Sequence, residues 1–278
     1  MTARIGVLGG GRMGAGIAHA FLMAGCDVTV VERDAPSADA AAARVADALA
    51  RSASRGAPAP ASAALRTATD LTVFRDCELV VEAVPEDRDL KTDALKRVEA
   101  VLGPEAVLAT NTSSISIDAL AVALSRPERF LGLHFFNPVP ASSLVEIVGG
   151  SASSPSAVAR AREYVEKIGK TPILVRDSPG FASSRLGVLL GLEAIRMLEE
   201  GVADAADIDR AMELGYRHPT GPLRTTDMVG LDVRLGIAEE LHAALGDRFA
   251  PPALLRRMVE EGRLGRKSGE GFYRWDAP

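Results

Sequence analysis

A histidine and a glutamate draw attention because each lies within an apolar part of the segment LGLHFFNPVPASSLVEIV, residues 131–148. An isolated histidine in such a setting is more often a hydrogen-bonded core residue than a catalytic one. If LGLHFF and LVEIV are antiparallel strands turned around Pro140, however, His134 lies directly opposite Glu146. Directly opposed residues have β-carbons about 5 Å apart on one face of the sheet. The spacing therefore predicts a general base with a carboxylate that orients it and stabilises its protonated form.

The N-terminal segment RIGVLGGGRMGAGIAHAFLMAGCDVTVVE has the pattern of a dinucleotide-binding β-α-β unit. In the motif Gly9-x-Gly11-x-x-Gly14, the first glycine makes the tight turn, the second lets a pyrophosphate approach the backbone, and the third lets the helix pack closely on the strand. The pyrophosphate is expected at the N-terminus of the helix, where free N–H groups favour an anion. Glu32, at the end of the second strand, would accept hydrogen bonds from the ribose hydroxyls and repel a 2′-phosphate. The predicted cofactor is therefore NAD rather than NADP.

Further along the chain, apolar runs alternate with helical patterns. We expect strands at DLTV, ELVVEAV, AVLAT, RFLGLHF and TPILVR, with a helix at DLKTDALKRVEAVL. Residues 36–68 are rich in Ala, Ser and Pro, and they predict a helix to about Arg55 followed by a loop, or a short helical hairpin. This alternation is typical of a doubly wound α/β sheet of the Rossmann type. We predict that this domain occupies residues 1–178 and that an all-helical substrate and dimerisation domain occupies residues 179–278.

Composition excludes several other classes of protein. The 278-residue chain has a net charge of -5 and no dense basic run, which argues against nucleic acid as a partner. Its most apolar late segment, RLGVLLGLEAIRMLEE, contains charged residues and predicts a buried helix rather than a membrane span. Cys26 and Cys77 are too few for a disulfide framework or a metal site. We therefore expect a cytoplasmic protein without a bound metal.

Nine motifs in order make the sequence resemble the L-3-hydroxyacyl-CoA dehydrogenase family, including 3-hydroxybutyryl-CoA dehydrogenases, over essentially its full length. They are GxGxxG with its distal glutamate, VVEAVPEDRDLK, NTSS, HFFNPVP, VEIV, DSPGF, HPTGP, DMVGLD and GRKSGEGFY. The resemblance implies an enzyme of fatty acid metabolism, a homodimer, that uses NAD to interconvert a short 3-hydroxyacyl thioester and its 3-oxo form. It assigns the catalytic base to His134, its partner to Glu146, and a hydrogen bond with the substrate 3-oxygen to Ser113. It also places five residues around NAD: Glu86, Lys91, Asn111, Asn137 and Lys267.

Two positions depart from the family pattern. After PGF the family has an asparagine in the active-site wall, and here Ser184 takes that place; a hydroxyl is shorter than an amide and needs a different partner. The insert at residues 36–68 is also shorter than the family's helical hairpin and contains no lysine for the CoA phosphates. Its arginines at positions 44, 51 and 55 could substitute, or the acyl carrier could differ.

Alternative functions follow from these departures. The substrate could be a carrier-protein-bound or a free hydroxy acid, or the chain could be a non-catalytic NAD-binding structural protein. A 6-phosphogluconate-type dehydrogenase would need a lysine on its long interdomain helix, and FASSRLGVLLGLEAIRMLEE has none. In the same helix, the small residues of GVLLG, Gly187 to Gly191, predict either a dimer contact or a close contact within the chain.

Overall fold

The computed structural model describes residues 2–57 and 63–276, which fall into two compact units, Met1–Ser178 and Pro179–Pro278. The described strands of the first unit form one eight-stranded sheet in the order β3-β2-β1-β4-β5-β6-β7-β8. They are β1 Arg4–Leu8, β2 Asp27–Val31, β3 Leu65–Ala68, β4 Leu79–Glu82, β5 Val107–Thr110, β6 Phe130–Phe135, β7 Leu144–Gly149 and β8 Thr171–Arg176. The helices of this unit are α1 Arg12–Met23, α2 Ala35–Ser54, α3 Arg88–Val101, α4 Ile117–Ala121 and α5 Pro155–Lys167.

The sheet confirms the predicted Rossmann-type fold. Strands β1 to β6 pair in parallel, β7 is antiparallel to β6, and β8 runs parallel to β7. The central strands β4 and β5 are fully buried, which suits strands covered by helices on both faces. From β1 the sheet continues through β2 and β3 on one side and through β4, β5 and the later strands on the other. The carboxyl ends of β1 and β4 therefore flank the topological switch point, where sheets of this kind bind their ligands.

Two segments differ from the sequence-based expectation. The run DLTV is not a strand, because Asp70 accepts a hydrogen bond from the backbone N–H of Thr72 (2.8 Å) and starts the 3-10 helix Leu71–Phe74. The end of the Ala-rich segment is β3, which pairs with β2 at the edge of the sheet, and α2 is one continuous helix before it. The alternative prediction of a helical hairpin was therefore wrong for the described part of this segment. Residues 58–62, where the sequence predicts a break and a loop, lie outside the described residues.

The second unit is built from helices, as predicted. They are α6 Ser183–Glu199, α7 Ala205–Gly215, α8 Pro222–Val229, α9 Leu231–Leu245 and α10 Ala253–Glu260. The fully buried carboxylate of Asp227 accepts hydrogen bonds from the backbone N–H groups of Phe272 and Tyr273 (both 2.9 Å) and from Trp275 Nε1 (2.8 Å). These bonds fix the C-terminal segment on the helices. None of the helices formed by residues 2–57 and 63–276 has the length and hydropathy that a bilayer crossing requires.

Candidate active site

The paired strands β6 and β7 bring the predicted histidine and glutamate together. His134 is directly opposite Glu146 in the antiparallel register, and its Nδ1 lies 2.6 Å from Glu146 Oε2. The glutamate side chain is fully buried and that of the histidine is 8% exposed, so the contact is largely shielded from water. The ring of Phe136 lies 4.5 Å from the imidazole, centroid to centroid. The carboxylate thus fixes the orientation of the ring and can stabilise an imidazolium.

The loop after His134 is held by residues that the sequence patterns did not identify. Lys170 Nζ donates hydrogen bonds to the carbonyl oxygens of Val139 (2.6 Å) and Ser142, and burial lowers the pKa of this lysine. Val139 packs on α1 at Gly16, where a Cβ would lie 2.9 Å from its side chain. The loop is therefore anchored both to β8, through the residue just before it, and to the dinucleotide helix.

Asn111, from the NTSS motif, lies at the carboxyl end of β5. Its Oδ1 accepts a hydrogen bond from the backbone N–H of Phe135 (2.9 Å), the residue after the histidine. The amide thereby ties the end of β5 to the end of β6. Asn137, two residues further on, lines a cavity described below.

A buried charge network lies under the NTSS motif. Glu82, fully buried at the end of β4, accepts hydrogen bonds through Oε1 from Lys91 Nζ (2.9 Å) and the N–H of Val84 (2.6 Å), and through Oε2 from Thr110 Oγ1 (2.6 Å). Lys91 is 1% exposed and also pairs with Glu86 at 3.2 Å. Its ammonium is thus an internal counterion of two carboxylates. Glu82 was not among the predicted residues, although an acid ending the apolar run LVVE was a usable signal.

Glu86 carries this network to the predicted substrate-binding serine. Its Oε1 accepts hydrogen bonds from Thr112 Oγ1 (2.6 Å) and from Ser113 N (2.7 Å) and Oγ (3.2 Å). Burial disfavours ionisation of Glu86, but Lys91 and these hydrogen bonds outweigh it, and its pKa is lowered. The carboxylate is therefore ionised at neutral pH and fixes the position of Ser113.

The glycine-rich turn after β1 has the geometry of a pyrophosphate site. Gly9 has a φ of 91°, and a Cβ at Gly14 would collide with the Gly9 carbonyl oxygen, whereas nothing lies within 4 Å of a Cβ at Gly11. No side chain of the described residues caps the N-terminus of α1. Gly10, which the motif did not single out, is also required, because a Cβ there would collide with Ala41. The turn, the open space and the uncapped helix fit a dinucleotide.

Glu32 follows β2 beside this turn. Its Oε1 accepts a hydrogen bond from the backbone N–H of Gly10 (2.6 Å), which fixes the carboxylate next to the glycine-rich turn. Arg33 next to it is 85% exposed and pairs with Asp34 at 3.1 Å, so its charge has a counterion other than Glu32. A carboxylate in this position is suited to ribose hydroxyls.

A basic cavity of about 640 Å³ lies between the helices α1 and α2 and the loop after β6. Among the described residues, four arginines line it, and Asp47 is the one acidic residue of the lining. The loop contributes Asn137 and the four residues after it. The arginines are Arg12, Arg44, Arg51 and Arg55. Three of them are those that the sequence suggested for an anionic carrier, and the excess of positive charge suits a ligand with several phosphates.

Ser184 and Lys267 belong to the second unit. Ser184 lies half-buried in the first turn of α6. Lys267 Nζ pairs with Asp232 Oδ2 at 2.6 Å and is about half exposed. Each therefore has a defined place within this unit, and the part assigned to either of them in the reaction stays a prediction.

The Rossmann-type sheet, the glycine-rich turn with its acidic residue and the buried histidine–glutamate pair together define an NAD-dependent oxidoreductase. Two family models cover nearly the whole chain. Residues 4–178 match the 3-hydroxyacyl-CoA dehydrogenase NAD binding domain, and residues 180–275 match the 3-hydroxyacyl-CoA dehydrogenase C-terminal domain. The chain belongs to the 3-hydroxyacyl-CoA dehydrogenase family.

Individual relatives are similar over their full length. The chain is 44% identical to a probable 3-hydroxybutyryl-CoA dehydrogenase of Deinococcus radiodurans, covering 98% of this chain and all of the relative. It is 41% identical to a 3-hydroxybutyryl-CoA dehydrogenase of Bradyrhizobium diazoefficiens, covering 97% and 94% of the two chains. The crystal structure of (S)-3-hydroxybutyryl-CoA dehydrogenase from Ralstonia eutropha superimposes with a TM-score of 0.94 at 38% identity, covering 99% of this chain and 100% of that one.

Proposed function

We propose that this protein oxidises a short 3-hydroxyacyl-CoA, such as 3-hydroxybutyryl-CoA, to the 3-oxo thioester with NAD, or catalyses the reverse reduction, and that His134 is the base. Membership of the family and the names of its relatives support the reaction. The observation that carries the assignment of the base is the 2.6 Å contact between His134 Nδ1 and Glu146 Oε2.

In the proposed reaction, three side chains have separate roles. In the oxidative direction His134 takes the proton of the 3-hydroxyl through Nε2, because its Nδ1 is engaged by Glu146. Glu146 stabilises the imidazolium that results, and Ser113, held by Glu86, hydrogen-bonds the same substrate oxygen. Bound NAD supplies the hydride acceptor for the hydrogen on C3, so that loss of a proton from oxygen and of a hydride from carbon leaves a carbonyl. In reduction the protonated His134 returns its proton to that oxygen.

The cavity of four arginines supports coenzyme A as the carrier. Coenzyme A carries a 3′-phosphate and a diphosphate, and guanidinium groups bind phosphates through charge-assisted hydrogen bonds. A free hydroxy acid would leave this basic cavity without a ligand. A carrier-protein-bound substrate stays an alternative, since its phosphopantetheine has one phosphate. A purely structural NAD-binding protein would have no use for a histidine buried against a carboxylate.

The decisive experiment measures NADH formation from 3-hydroxybutyryl-CoA by wild type and His134→Ala. We expect the alanine variant to bind NADH nearly as wild type while its kcat falls by roughly 10²–10⁴-fold, the usual contribution of a positioned base. Glu146→Gln should keep the fold and lose most of the rate, because an amide does not stabilise imidazolium as a carboxylate does. Near-wild-type turnover by His134→Ala on every substrate used would refute the assignment of the base. If wild type prefers the free acid or a phosphopantetheine thioester to the CoA thioester, the substrate is one of these instead.

We also propose a cytoplasmic homodimer formed through the second unit. Among the described residues of that unit, eight large apolar side chains are exposed, including Leu186 (67%) on α6 and Leu214 (80%) on α7. The GVLLG segment supports this less than its sequence suggested, because Gly191 is buried and a Cβ there would lie 3.1 Å from Thr226 Oγ1 of α8. That glycine serves a close contact within the chain, which was the alternative interpretation of the segment. The two cysteines are free and buried, which suits a reducing compartment.

A further inference from the structure

A serine of the basic cavity is hydrogen-bonded to a buried histidine of the helix opposite. Ser52 of α2 lines the cavity and is half-buried. His19 of α1 is 4% exposed, and its Nε2 lies 2.8 Å from Ser52 Oγ. His19 comes three residues after Gly16, another lining residue, so the two lie on the same face of α1. The pair is therefore formed where α1 and α2 together enclose the cavity.

The surroundings of the imidazole determine which of its nitrogens carries the hydrogen. Burial, Arg51 and Lys170 lower the pKa of His19, so at neutral pH the ring is uncharged and has one N–H group. Its Nδ1 is buried and has no hydrogen-bond partner within residues 2–57 and 63–276. A buried N–H group without an acceptor is rarer in proteins than an acceptor without a donor. The hydrogen is therefore on Nε2, and His19 is the donor to Ser52.

The hydroxyl hydrogen of Ser52 is consequently directed elsewhere. A serine within a helix often donates to the carbonyl oxygen four residues earlier, which here belongs to Ala48. Among the described residues, however, the hydrogen-bond partner of Ser52 Oγ is His19, and no carbonyl oxygen accepts from it. Because Ser52 accepts from the histidine on one side and lines the cavity on the other, its hydrogen is available to a molecule in the cavity.

The cavity around this hydroxyl is suited to a negatively charged acceptor. Ser52 follows Arg51 directly and precedes Arg55 by three residues, and both arginines line the cavity. The lining carboxylate, Asp47, is five residues earlier on α2, outside the spacing of three or four at which helical side chains meet. An oxygen of a phosphate group bound by the arginines is therefore the acceptor that this hydroxyl fits.

We propose that Ser52 is a further binding residue for the phosphates of coenzyme A, and that His19 is its positioning residue, because the bond from Nε2 directs the serine hydrogen into the cavity. This inference rests on the proposed function, which places coenzyme A there. A hydrogen bond to a charged phosphate oxygen is stronger than one between neutral groups. Without the histidine, the hydroxyl would turn to the carbonyl oxygen of its own helix.

The first test compares two thioesters of 3-hydroxybutyrate, one with coenzyme A and one with N-acetylcysteamine, which has no phosphate. We expect Ser52→Ala to raise KM for the coenzyme A thioester by about tenfold, the loss of one hydrogen bond to a charged group, and to leave kcat nearly unchanged. KM for the N-acetylcysteamine thioester should not change. Ser52→Thr keeps the hydroxyl and should have a KM close to that of wild type. The control is Ser54→Ala, because Ser54 is exposed, does not line the cavity and donates to the carbonyl oxygen of Arg51.

The second test concerns the positioning role of His19. His19→Leu removes the donor, so KM for the coenzyme A thioester should rise about as much as in Ser52→Ala. The double variant should show no further rise, because both changes remove the same bond to phosphate. His19→Gln keeps a donor to Ser52 and should have a KM close to that of wild type. His19→Asn, whose shorter amide does not reach the serine, should behave as the leucine variant does and replaces it if leucine prevents folding.

Binding of coenzyme A itself, measured by calorimetry, separates this inference from the proposed function. If neither thioester is oxidised, the proposed function fails, whereas weaker binding of coenzyme A by Ser52→Ala and wild-type binding by Ser52→Thr still support the phosphate contact. The inference is overturned if Ser52→Ala binds coenzyme A as wild type does, if its KM rises equally for both thioesters, or if wild type binds no coenzyme A. Additive effects of Ser52→Ala and His19→Leu overturn the positioning role of the histidine.

Discussion

At the scale of single residues, we predict that Glu32 decides the choice between NAD and NADP. Its carboxylate is fixed beside the glycine-rich turn by the N–H of Gly10 (2.6 Å) and would lie close to a 2′-phosphate. We expect at least a tenfold preference for NAD over NADP in kcat/KM, which corresponds to about 1.4 kcal/mol. Glu32→Ala should shrink this preference, because it removes the repulsion and leaves the exposed Arg33 nearby. Equal kcat/KM values of wild type with the two cofactors would contradict the assignment.

The histidine–glutamate pair depends on a few neighbouring residues rather than on its own contact alone. Asn111 holds the backbone next to His134, and Lys170 holds the loop that follows. Glu82 at the end of β4 holds Lys91 of α3, and Lys91 pairs with Glu86, which in turn fixes Ser113. Because a catalytic group must be held within a fraction of an ångström of its productive position, these supporting contacts matter as much as the reacting side chains.

At the scale of elements, α2 presents a basic face to the cavity described above. If Arg51 and Arg55 bind the phosphates of coenzyme A, replacing either with alanine should raise KM for 3-hydroxybutyryl-CoA by about tenfold, with a smaller effect on kcat. A thioester of N-acetylcysteamine has no phosphates, and the same variants should turn it over as wild type does. Arg66→Ala, on the exposed side of β3, is the matched control. An equal effect on both thioesters would indicate a structural role for these arginines.

The contact between α1 and α2 makes part of the stability depend on pH. His19 of α1 is 4% exposed, and its Nε2 lies 2.8 Å from Ser52 Oγ of α2. Burial, Arg51 and Lys170 lower the pKa of His19 below its ordinary value of 6.5. As the pH falls below about 6.5, the unfolded chain therefore binds a proton that the folded chain rejects, and stability falls.

His19→Gln should make this part of the pH dependence disappear, since glutamine can still bond Ser52 and does not titrate. The measurement is the free energy of unfolding in urea at pH 7.5 and at pH 5.5 for wild type and the variant. We expect the free energy of unfolding to fall less between pH 7.5 and pH 5.5 in His19→Gln than in wild type. Identical losses would mean that the histidine does not contribute.

At the scale of the whole molecule, the exposed apolar side chains of the second unit predict self-association. Exposed apolar side chains mark an interface where they form a contiguous patch. We expect a dimeric mass in solution at micromolar concentration, and a shift towards monomer in Leu186→Glu and Leu189→Glu, two exposed positions of α6. Leu174→Glu, an equally apolar and exposed position of β8, should leave the mass unchanged. A monomeric wild type would refute the dimer.

The sequence by itself determined the features that depend on local spacing. The glycine-rich turn and its helix were predictable because each glycine has a separate steric reason. The register that pairs His134 with Glu146 was predictable because side chains alternate along a strand, so that the centre of the turn sets every opposed pair. The division into a sheet and a helical segment followed from the change of hydrophobic period near Ser178.

The tertiary structure decided the contacts between residues that are distant along the chain. A lone Lys91 or Lys170 has the pattern of a solvated charge, and only the packing of α3 and β8 shows that each is enclosed by acceptors from other segments. The edge strand β3 and the 3-10 helix at DLTV were assigned wrongly because a short apolar run does not reveal whether a neighbouring strand or a capping Asp70 provides its hydrogen bonds. The contact between His19 and Ser52 is the clearest case, since the two residues are 33 positions apart, and the packing of α1 on α2 that joins them leaves no trace in the local sequence of either.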